Sequence, residues 1–522
     1  MDERNGREDK RESLWLAGRE TRHFPQLDEE LTIDTLIIGG GLTGLSCAWH
    51  LAQQGVPVAV LEADVLGGGT SARTTGKVTS QHDLLYATLQ QQYGNERAQM
   101  AATANEKAIT TVEETVRSLH IDCAWERQSA YTFTQQEDWV KQVEEEARVA
   151  SSLGIQADCV GQIPLPIPTL AAVRFQNQAQ FHPVRYMDGL IAELERRHVP
   201  LFEQSRVVAI DHKDGNWTAA TAGGPKATAK HIILATLYPI VNKPSLLFTQ
   251  FYVQRSYLLA FPMEEPLPDG MYINAEEPVR SLRHYCSGEH QFLLVGGEGH
   301  RTGQCTNTER CYHALVDFAQ EHFKVGEPQY SWSAQDCMTM DGLPLLGALS
   351  PELPGLLLAT GFHKWGMTSS AIAALLLTDL IVHGRSDWAD AFSPHRGKAI
   401  GAVKRFVVEN AVTAKELVRS KLATPEDEEG HPIARGTARV LLDGNGARVG
   451  VYRDEEGNLH SVDTTCPHMG CELAWNPAER SWDCPCHGSR FSFDGEILNG
   501  PAVHPLNEVD VNTIHKLLHE TF

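Results

Sequence analysis

The chain has 522 residues, of which 42% are hydrophobic and 21% charged, a composition typical of a globular protein with about two to four domains. With 45 Lys and Arg against 67 Asp and Glu, its net charge of −22 argues against nucleic acid or an anionic membrane as a partner. Residues 1–30 lack the apolar core of a signal peptide, and no run approaches the roughly 20 apolar residues of a membrane span. Most of the 11 cysteines are scattered without a disulfide framework, which favours a cytoplasmic location.

The N-terminal part predicts a polar, flexible arm over residues 1–30, with Trp15 as one possible anchor. An apolar strand over Leu31–Ile38 follows, then a glycine-rich turn, a helix over residues 45–54 and a second strand that closes on Glu62. This order is the strand–helix–strand context that a dinucleotide-binding fingerprint requires.

The turn has the sequence Gly39-Gly40-Gly41-Leu42-Thr43-Gly44. Gly39 allows the tight turn, Gly41 lets the backbone approach a pyrophosphate, and Gly44 brings the helix close to the strand. Thr43 belongs to the same nucleotide-binding turn, at a helix N-terminus that stabilises phosphate charge. Glu62 is placed to accept hydrogen bonds from the adenosine ribose.

A second glycine-rich loop, over residues 66–77, favours FAD over NAD as the nucleotide. It is dense in hydroxyl groups and contains the cations Arg73 and Lys77. It resembles the loop that wraps the flavin in the D-amino-acid oxidase (DAO) superfamily. The resemblance implies that Arg73, Thr74 and Lys77 lie near FAD or substrate; the alternative is an ordinary surface loop.

The middle of the chain also resembles the DAO superfamily. Residues 83–152 have a helical pattern, in which the acidic patch at 144–146 predicts a solvated face. Val207, in a predicted strand, matches the family position that packs on adenine. Ala235 lies in a buried strand at the point where such folds close over the pyrophosphate. The β-rich segments suit the antiparallel substrate sheet of the superfamily and span residues 251–261, 271–273 and 292–295.

A buried strand over Leu356–Thr360 leads into a glycine-rich turn over residues 361–368 and a helix over residues 369–381. Such a turn at a helix N-terminus suits the negative charge on the pyrimidine edge of a reduced flavin, and in DAO-like enzymes it has that role. The resemblance implies FAD contacts at Gly361, Gly366 and Met367 and an amine or amino acid as hydride donor. Because the attachment motif of covalent relatives is not recognisable, FAD is predicted to be noncovalent.

No catalytic residue is identified from the sequence. Arg255 and Arg283 lie in the expected substrate sheet and would suit a substrate carboxylate, but a surface or structural role is favoured for both. His363 and Lys364 flank the flavin turn without an assigned role. Cys337 lies nearby, but the attachment motif of covalent relatives is not recognisable.

Residues 386–430 predict a helical connector and an acidic linker, and the last module begins near residue 431. It contains Cys466-Pro467-His468 and Cys484-Pro485-Cys486-His487, two loops that each offer a Cys and a His. Two thiolates can hold one iron of a [2Fe–2S] cluster while two imidazoles hold the other. A Cys2His2 zinc site is the alternative, although zinc fingers usually pair Cys with Cys and His with His.

These loops resemble the Rieske domain, in the subtype with an extra cysteine in each loop. The resemblance implies a cluster held by Cys466, His468, Cys484 and His487. It also implies a disulfide between Cys471 and Cys486. Ser489 matches a serine that hydrogen-bonds a cluster sulfur, and 500–502 resembles the proline loop that shields the cluster. Phe491 stands where high-potential members carry a tyrosine, which predicts a potential below the range of the respiratory complexes.

The expected architecture is an α/β FAD-binding Rossmann-like domain over residues 31–385 with an inserted antiparallel-sheet substrate domain, followed by a small all-β Rieske domain over residues 431–522. The expected function is that of an FAD-dependent oxidoreductase that takes a hydride from a small organic substrate. The cluster would then pass electrons singly to an unknown acceptor.

Two alternative functions stay open. An NAD(P)H-dependent flavoprotein reductase needs a second nucleotide motif, for which residues 296–299 are the later candidate. A redox carrier or sensor that turns over no metabolite is the other. A Rieske oxygenase is excluded, because residues 488–522 leave no room for a mononuclear iron domain.

Overall fold

The computed structural model describes residues 11–20, 22–241, 247–265, 267–288, 290–397, 400–422, 432–443 and 446–510. In chain order, the strands of the larger, N-terminal part are β1 (Leu31–Ile38), β2 (Val58–Leu61), β3 (Lys77–Val78), β4 (Glu126–Thr134), β5 (Ala157–Val160), β6 (Ala171–Gln180), β7 (Leu201–Phe202), β8 (Val207–Lys213), β9 (Asn216–Thr221), β10 (Lys226–Leu234), β11 (Phe251–Pro262), β12 (Met271–Asn274), β13 (Arg280–Ser287), β14 (His290–Arg301), β15 (Tyr330–Thr339), β16 (Leu345–Ala348) and β17 (Leu356–Thr360). The C-terminal module contains β18 (Thr437–Leu442), β19 (Arg448–Arg453), β20 (Leu459–Asp463), β21 (Ala474–Asn476), β22 (Ser481–Asp483), β23 (Arg490–Ser492) and β24 (Ile497–Asn499). The helices are α1 (Leu42–Gln53), α2 (Leu85–Tyr93), α3 (Asn95–Ser118), α4 (Glu137–Ser152), α5 (Pro183–Arg196), α6 (Glu309–His322), α7 (Gly366–His383), α8 (Ala389–Phe392) and α9 (Ile400–Leu422).

One mixed sheet contains the predicted nucleotide motif. Its strands are ordered β16-β17-β10-β1-β2-β7, and β9 and β8 extend it from β10. Strand β1 pairs in parallel with both β2 and β10, and β10 pairs in parallel with β17. These strands are apolar runs, with β2 and β17 buried along their whole length, as expected where a parallel sheet is covered on both faces. The predicted strand–turn–helix–strand order is confirmed.

The second large sheet has the order β15-β11-β14-β13-β12-β4-β6-β3, and β5 pairs with β6. Its pairs are antiparallel except for β12 with β4, so the expected antiparallel sheet is confirmed. Strand β4 is a correction, because the sequence pattern over residues 83–152 predicted only helix. Tyr131, Thr132 and Phe133 are aromatic and β-branched residues that suit a buried strand, and pairing with β12 and β6 decides their conformation.

The C-terminal module consists of two small antiparallel sheets, β18-β19-β20 and β21-β22-β23-β24. Trp482 and Phe491, both fully buried, lie in its core. The expected all-β module is confirmed.

Part of the expected N-terminal arm is packed against the protein. Trp15 is 1% exposed and its Nε1 donates a hydrogen bond of 2.6 Å to the carbonyl oxygen of Thr74. Arg19 forms an ion pair of 2.6 Å with Asp188. The prediction of flexibility is therefore wrong for residues 13–19, because the anchor buries its whole ring, while residues 1–10 and the acidic linker at 424–430 lie outside the described residues.

Helix α7 is, among the described ranges, the one helix long and apolar enough to cross a membrane, with 18 residues and a mean hydropathy of 1.4. It is longer than the sequence predicted. Of its residues, 61% are buried inside this protein, where the helix packs against α1 and α3. This burial is typical of a core helix.

Glu146 corrects the expectation of a solvated acidic face. It is 0% exposed, and its carboxylate accepts hydrogen bonds of 2.9 Å and 2.7 Å from the backbone nitrogens of Tyr86 and Ala87. Burial raises the pKa of Glu146 to about 7, although these two bonds oppose the effect. The carboxylate satisfies the free N–H groups at the start of α2.

Candidate active site and cluster site

A cavity of about 820 Å³ lies where the two large sheets meet the C-terminal module. Most of the residues predicted to bind the cofactor line it, namely Gly39, Gly41, Thr43, Glu62, Arg73, Thr74, Lys77, Val207, Ala235, Gly366 and Met367. Gly44 and Gly361 lie behind the wall. Gly44 packs against the carbonyl group of Gly39, as its predicted role of close helix–strand contact requires, and Gly361 has a φ of +72° and packs against Thr339.

The backbone of the first glycine turn is bare toward the cavity. Gly39 has a φ of +108°, and a Cβ there would lie 2.5 Å from the carbonyl oxygen of Ala235. A Cβ at Gly41 would lie 3.1 Å from Ser71 Oγ, which accepts a hydrogen bond of 3.1 Å from the nitrogen of Leu42. The turn therefore presents main-chain atoms at the N-terminus of α1, and these fit a pyrophosphate.

Glu62 is held at the end of β2 by backbone donors. Its Oε2 accepts a hydrogen bond of 2.6 Å from the nitrogen of Gly40, and its Oε1 accepts one of 2.9 Å from Asp64. Burial raises the pKa of Glu62, opposed by these two hydrogen bonds. The carboxylate remains part of the cavity wall next to Val207, a position that suits an adenosine ribose.

The second glycine-rich loop contributes a wall of the cavity. Arg73 donates hydrogen bonds to the carbonyl oxygens of Gly68 and Gly69, so its guanidinium braces the loop itself. Lys77 Nζ donates hydrogen bonds of 2.8 Å to the carbonyl oxygen of Tyr272 and to Ser281 Oγ. Burial, followed by the charge of Arg283, lowers the pKa of Lys77 to about 7. This ammonium ties the loop to the second sheet.

Neither arginine of the expected substrate sheet is free to bind a carboxylate. Arg283 is 1% exposed, donates a hydrogen bond of 2.7 Å to the carbonyl oxygen of Gly76, and lies 5.3 Å from the ring of Trp15. Arg255 donates hydrogen bonds to Ser333 and to Glu479 of the C-terminal module. The contacts of Arg283 and Arg255 are therefore structural, and a surface or structural role is favoured for both from the sequence.

The cavity also contains a carboxylate that the sequence did not single out. Asp336, in β15, lines the cavity, and burial raises its pKa to about 6 although the charges of Lys364 and Arg255 oppose the effect. His363 and Lys364 line the cavity with positive φ values of +52° and +71°. Cys337 also lines it and is 1% exposed. Only the folded sheet shows that Asp336 faces the same space as the glycine turn.

The four expected cluster ligands come together in two loops that follow β20 and β22. The ring centroids of His468 and His487 lie 5.0 Å apart, and the neighbouring Cys484 lowers the pKa of the Cys466 thiol to about 7. His487 is 8% exposed, and its Nδ1 is buried without a hydrogen-bond partner in the described part of the chain. A pair of neighbouring thiols, a pair of neighbouring imidazoles and an unsatisfied ring nitrogen fit a [2Fe–2S] cluster.

The surroundings of the two loops match the Rieske resemblance in detail. Cys471 and Cys486 form the expected disulfide, which joins the loops. The Ser489 hydroxyl accepts a hydrogen bond of 3.1 Å from the nitrogen of Ala502. After Cys484, it also contributes to the lowered pKa of Cys466. Phe491 is buried and offers no hydroxyl. The expectation of a lowered cluster potential stays a prediction.

The second cluster loop lies against the N-terminal part of the protein. Gln335 Nε2 donates a hydrogen bond of 2.8 Å to the carbonyl oxygen of Gly488, and the ring of Phe248 lies 5.4 Å from that of His487. Gln335 also lines the cavity, and its carbonyl oxygen accepts a hydrogen bond of 3.4 Å from Thr70 in the second glycine-rich loop. One residue therefore contacts both the predicted flavin loop and the cluster loop.

Comparison with known proteins agrees with this arrangement. Residues 34–380 match the family described as FAD dependent oxidoreductase (DAO), and residues 431–511 match the Rieske [2Fe-2S] domain. The chain belongs to the DAO family. It is an FAD-dependent oxidoreductase with a C-terminal Rieske domain, and its two cofactors are FAD and a [2Fe–2S] cluster.

The chain is similar to a Rieske iron-sulfur protein and to an oxidoreductase. It is 36% identical over 502 residues to the Rieske 2Fe-2S iron-sulfur protein YhfW of Bacillus subtilis, covering 96% of this chain and 98% of that protein. It is 23% identical to gamma-glutamylputrescine oxidoreductase of Escherichia coli, over 71% of this chain and 89% of that protein. Glycine oxidase from Geobacillus kaustophilus shares the fold, with a TM-score of 0.61 and 19% identity over 71% of this chain and 100% of that chain.

Residues 296–299, the candidate for a second nucleotide motif, lie inside strand β14 of the DAO domain. They pair with β11 and β13, so they form no turn at a helix N-terminus. The structure thus removes the sequence feature on which the NAD(P)H reductase reading depended.

Proposed function

We propose that this protein is a dehydrogenase that oxidises a small amine or amino acid at FAD and passes the electrons, one at a time, through its own Rieske cluster to an external acceptor. FAD supplies the two-electron chemistry and the [2Fe–2S] cluster the one-electron transfer. The protein supplies orientation, exclusion of water and a short connection between the two cofactor sites.

The observation that carries the proposal is the contact made by Gln335. It touches Thr70 of the predicted flavin loop and Gly488 of the cluster loop, at 3.4 Å and 2.8 Å. The cavity that holds the glycine turn is itself bordered by residues of the Rieske domain, including Gly500 and Ala502. A domain that delivered electrons only to separate partners would have no need to close this cavity.

The cluster ligands are proposed to be Cys466, His468, Cys484 and His487. Each lies in one of the two loops that the disulfide joins. Burial, followed by the charge of His468, lowers the pKa of His487 to about 4, so its imidazole is neutral and able to bind iron.

An amine is proposed as the substrate class because the chain is similar to gamma-glutamylputrescine oxidoreductase of Escherichia coli, and gamma-glutamylputrescine is an amine. In this chain the Asp336 carboxylate faces the cavity. As an anion it would hold a substrate ammonium group or accept its proton before the hydride leaves. Protonation of Asp336 near its raised pKa of about 6 would therefore reduce activity in acid.

The test is an anaerobic reaction of the purified holoprotein with a panel of amines, amino acids and NAD(P)H, with flavin absorbance and the EPR signal of the cluster recorded together. The expected result is that an amine bleaches the flavin and the reduced-cluster signal follows. Bleaching by NAD(P)H alone would favour a reductase, and no bleaching by any compound would favour a redox carrier or sensor.

Two variants locate the step that fails. In Gln335→Leu the substrate should still bleach the flavin, while the cluster signal appears more slowly, because the bonds to Gly488 and Thr302 are lost. Asp336→Asn should slow flavin bleaching itself and flatten the rise of kcat/KM across about pH 6. Equal cluster kinetics in Gln335→Leu and the unmodified protein would remove the internal route.

A further inference from the structure

A group of two thiols and an imidazole lies outside the cavity, next to the surface that carries the Rieske domain. His300 lies at the end of β14, Cys305 in the loop that follows, and Cys311 in the first turn of α6. One ligand atom from each residue lies within 4.8 Å of the other two. Cys311 is buried, whereas His300 and Cys305 are partly exposed, so the group can be reached from solvent.

We propose that His300, Cys305 and Cys311 hold a structural transition-metal ion, with Zn²⁺ as the best fit. Thiolate sulfur and imidazole nitrogen are the donors that zinc prefers in structural sites. Donor atoms around a tetrahedral zinc ion lie about 3.5 Å apart, so the three atoms, which lie within 4.8 Å of one another, need to approach by at most about 1.3 Å.

The imidazole is already oriented for coordination. His300 Nδ1 lies 2.8 Å from the carbonyl oxygen of Arg301, and Nε2 lies 2.9 Å from the Tyr257 hydroxyl. Because a carbonyl oxygen can only accept, Nδ1 carries the proton, as in zinc-bound histidines whose other nitrogen donates to the backbone. The Nε2 lone pair accepts the hydrogen bond of the Tyr257 hydroxyl, and zinc would replace that bond. The Tyr257 hydroxyl at 2.9 Å from Nε2 therefore marks the place of a fourth ligand, the hydroxyl itself or a water.

The charges around the site are mixed. Glu298 acts on Cys311 and is itself paired with Arg280 at 2.7 Å. The cations Arg255 and Lys364 and the carboxylate of Asp483 act on His300. Zinc binding would release the two thiol protons to solvent, and Zn²⁺ would then be balanced by two thiolates. No oxidation or reduction takes part in the step.

The site lies at the contact with the Rieske domain, where a metal ion would have a structural role. The segment between His300 and Cys311, which contains Cys305, contacts the Rieske domain. A Cβ at Gly303 would lie 2.6 Å from the nitrogen of Pro485, and Thr308 Oγ1 donates a hydrogen bond of 2.6 Å to Asn476. A metal ion that joins β14, this loop and α6 would hold the contact surface of the second cluster loop in place.

Metal analysis of the full-length holoprotein tests the inference without any assay of activity. Zinc and iron are measured on the same sample, expressed with zinc in the medium, and about one zinc per chain is expected beside the iron of the cluster. Cys305→Ser and Cys311→Ser should lose the zinc and keep the iron. Cys159→Ser, at an exposed cysteine elsewhere, should keep both.

Zinc that persists in both variants would overturn the inference, because it would then sit at another site, such as a cluster site without iron. A protein that takes up no zinc, or a disulfide between Cys305 and Cys311 found by peptide mapping, would also overturn it. Should the variants fail to fold, alkylation of the unmodified protein decides. A chelator should raise the alkylation rate of Cys305 by about tenfold or more and leave that of Cys159 unchanged, since a metal-bound thiolate is shielded.

Discussion

Glu479 lies at the centre of the contact between the DAO and Rieske domains. Its Oε2 lies 2.7 Å from Arg255 Nη2, and its Oε1 accepts a hydrogen bond of 2.7 Å from the Tyr312 hydroxyl. Burial alone would raise the pKa of Glu479, but the charges of Arg255 and Arg490 and the hydrogen bonds outweigh it and lower the pKa from 4.5 to about 2. A shift of this size corresponds to about 3 kcal/mol in favour of the folded, ionised form.

The informative substitution is Glu479→Gln, which keeps the size of the side chain and an acceptor for Tyr312 but removes the charge. Arg255, whose side chain is 3% exposed, is then left without its counter-ion. We expect the free energy of unfolding at pH 7 to fall by about 3–4 kcal/mol. The matched control is Glu455→Gln, in an exposed pair with Arg480 at 3.6 Å, for which a change within about 0.5 kcal/mol is expected.

The pH dependence has a defined sign. Because the folded pKa of Glu479 lies below its unfolded value, the stabilisation is complete above about pH 4.5 and disappears as the pH falls toward 2. Urea unfolding of both variants at pH 7, followed by absorbance of the two cofactors, measures the loss, and the double variant with Arg255→Met should recover much of it by removing the unpaired charge. A loss no larger than that of Glu455→Gln would refute the reasoning.

Three further changes test other parts of the structure. Gly39→Ala should yield protein without flavin, because the new Cβ meets the carbonyl oxygen of Ala235 at 2.5 Å; Gly55→Ala, with a φ of +73° but open space, is the control, and normal flavin content in Gly39→Ala would contradict the fit. Since the folded pKa of Glu146 is raised from 4.5 to about 7, the free energy of unfolding should decline by at most about 3 kcal/mol as the pH rises through this interval. Glu146→Gln should flatten the corresponding decline in thermal unfolding midpoints. An unchanged pH profile in this variant would contradict the assigned pKa. Cys471→Ser opens a disulfide with a sequence separation of 15 and should lower the stability of the Rieske domain by about 3 kcal/mol, seen as faster loss of cluster absorbance in urea. Cys286→Ser, which removes an exposed thiol, should have no effect. Equal loss rates in the two variants would speak against a stabilising role of the disulfide.

The cofactor motifs could be predicted from sequence because each one is local. Gly39, Gly41 and Gly44 act within a single turn, and their roles follow from the missing Cβ. Cys466 and His468, like Cys484 and His487, lie within one loop, so their spacing already indicates a metal site. The apolar strands of the nucleotide sheet were equally visible, since burial on both faces leaves a continuous hydrophobic run.

Errors arose where distant partners decide the outcome. Strand β4 forms because β12 and β6 pair with it, and Glu146 is buried because the start of α2 needs its carboxylate. Trp15 lies in a polar segment of the sequence, yet its ring is buried and hydrogen-bonds the carbonyl oxygen of Thr74. Local composition has no information about these partners.

By itself, the sequence determined which cofactors this protein binds, since the glycine turn and the Cys and His loops contain their chemistry within a few residues. Only the tertiary structure decided how the two sites are connected. Arg255 and Glu479 are 224 positions apart, and Gln335 and Gly488 are 153 apart. A charge pair or an amide contact at such separation has no periodic signal, because its energy comes from burial and proximity that exist only after the chain has folded.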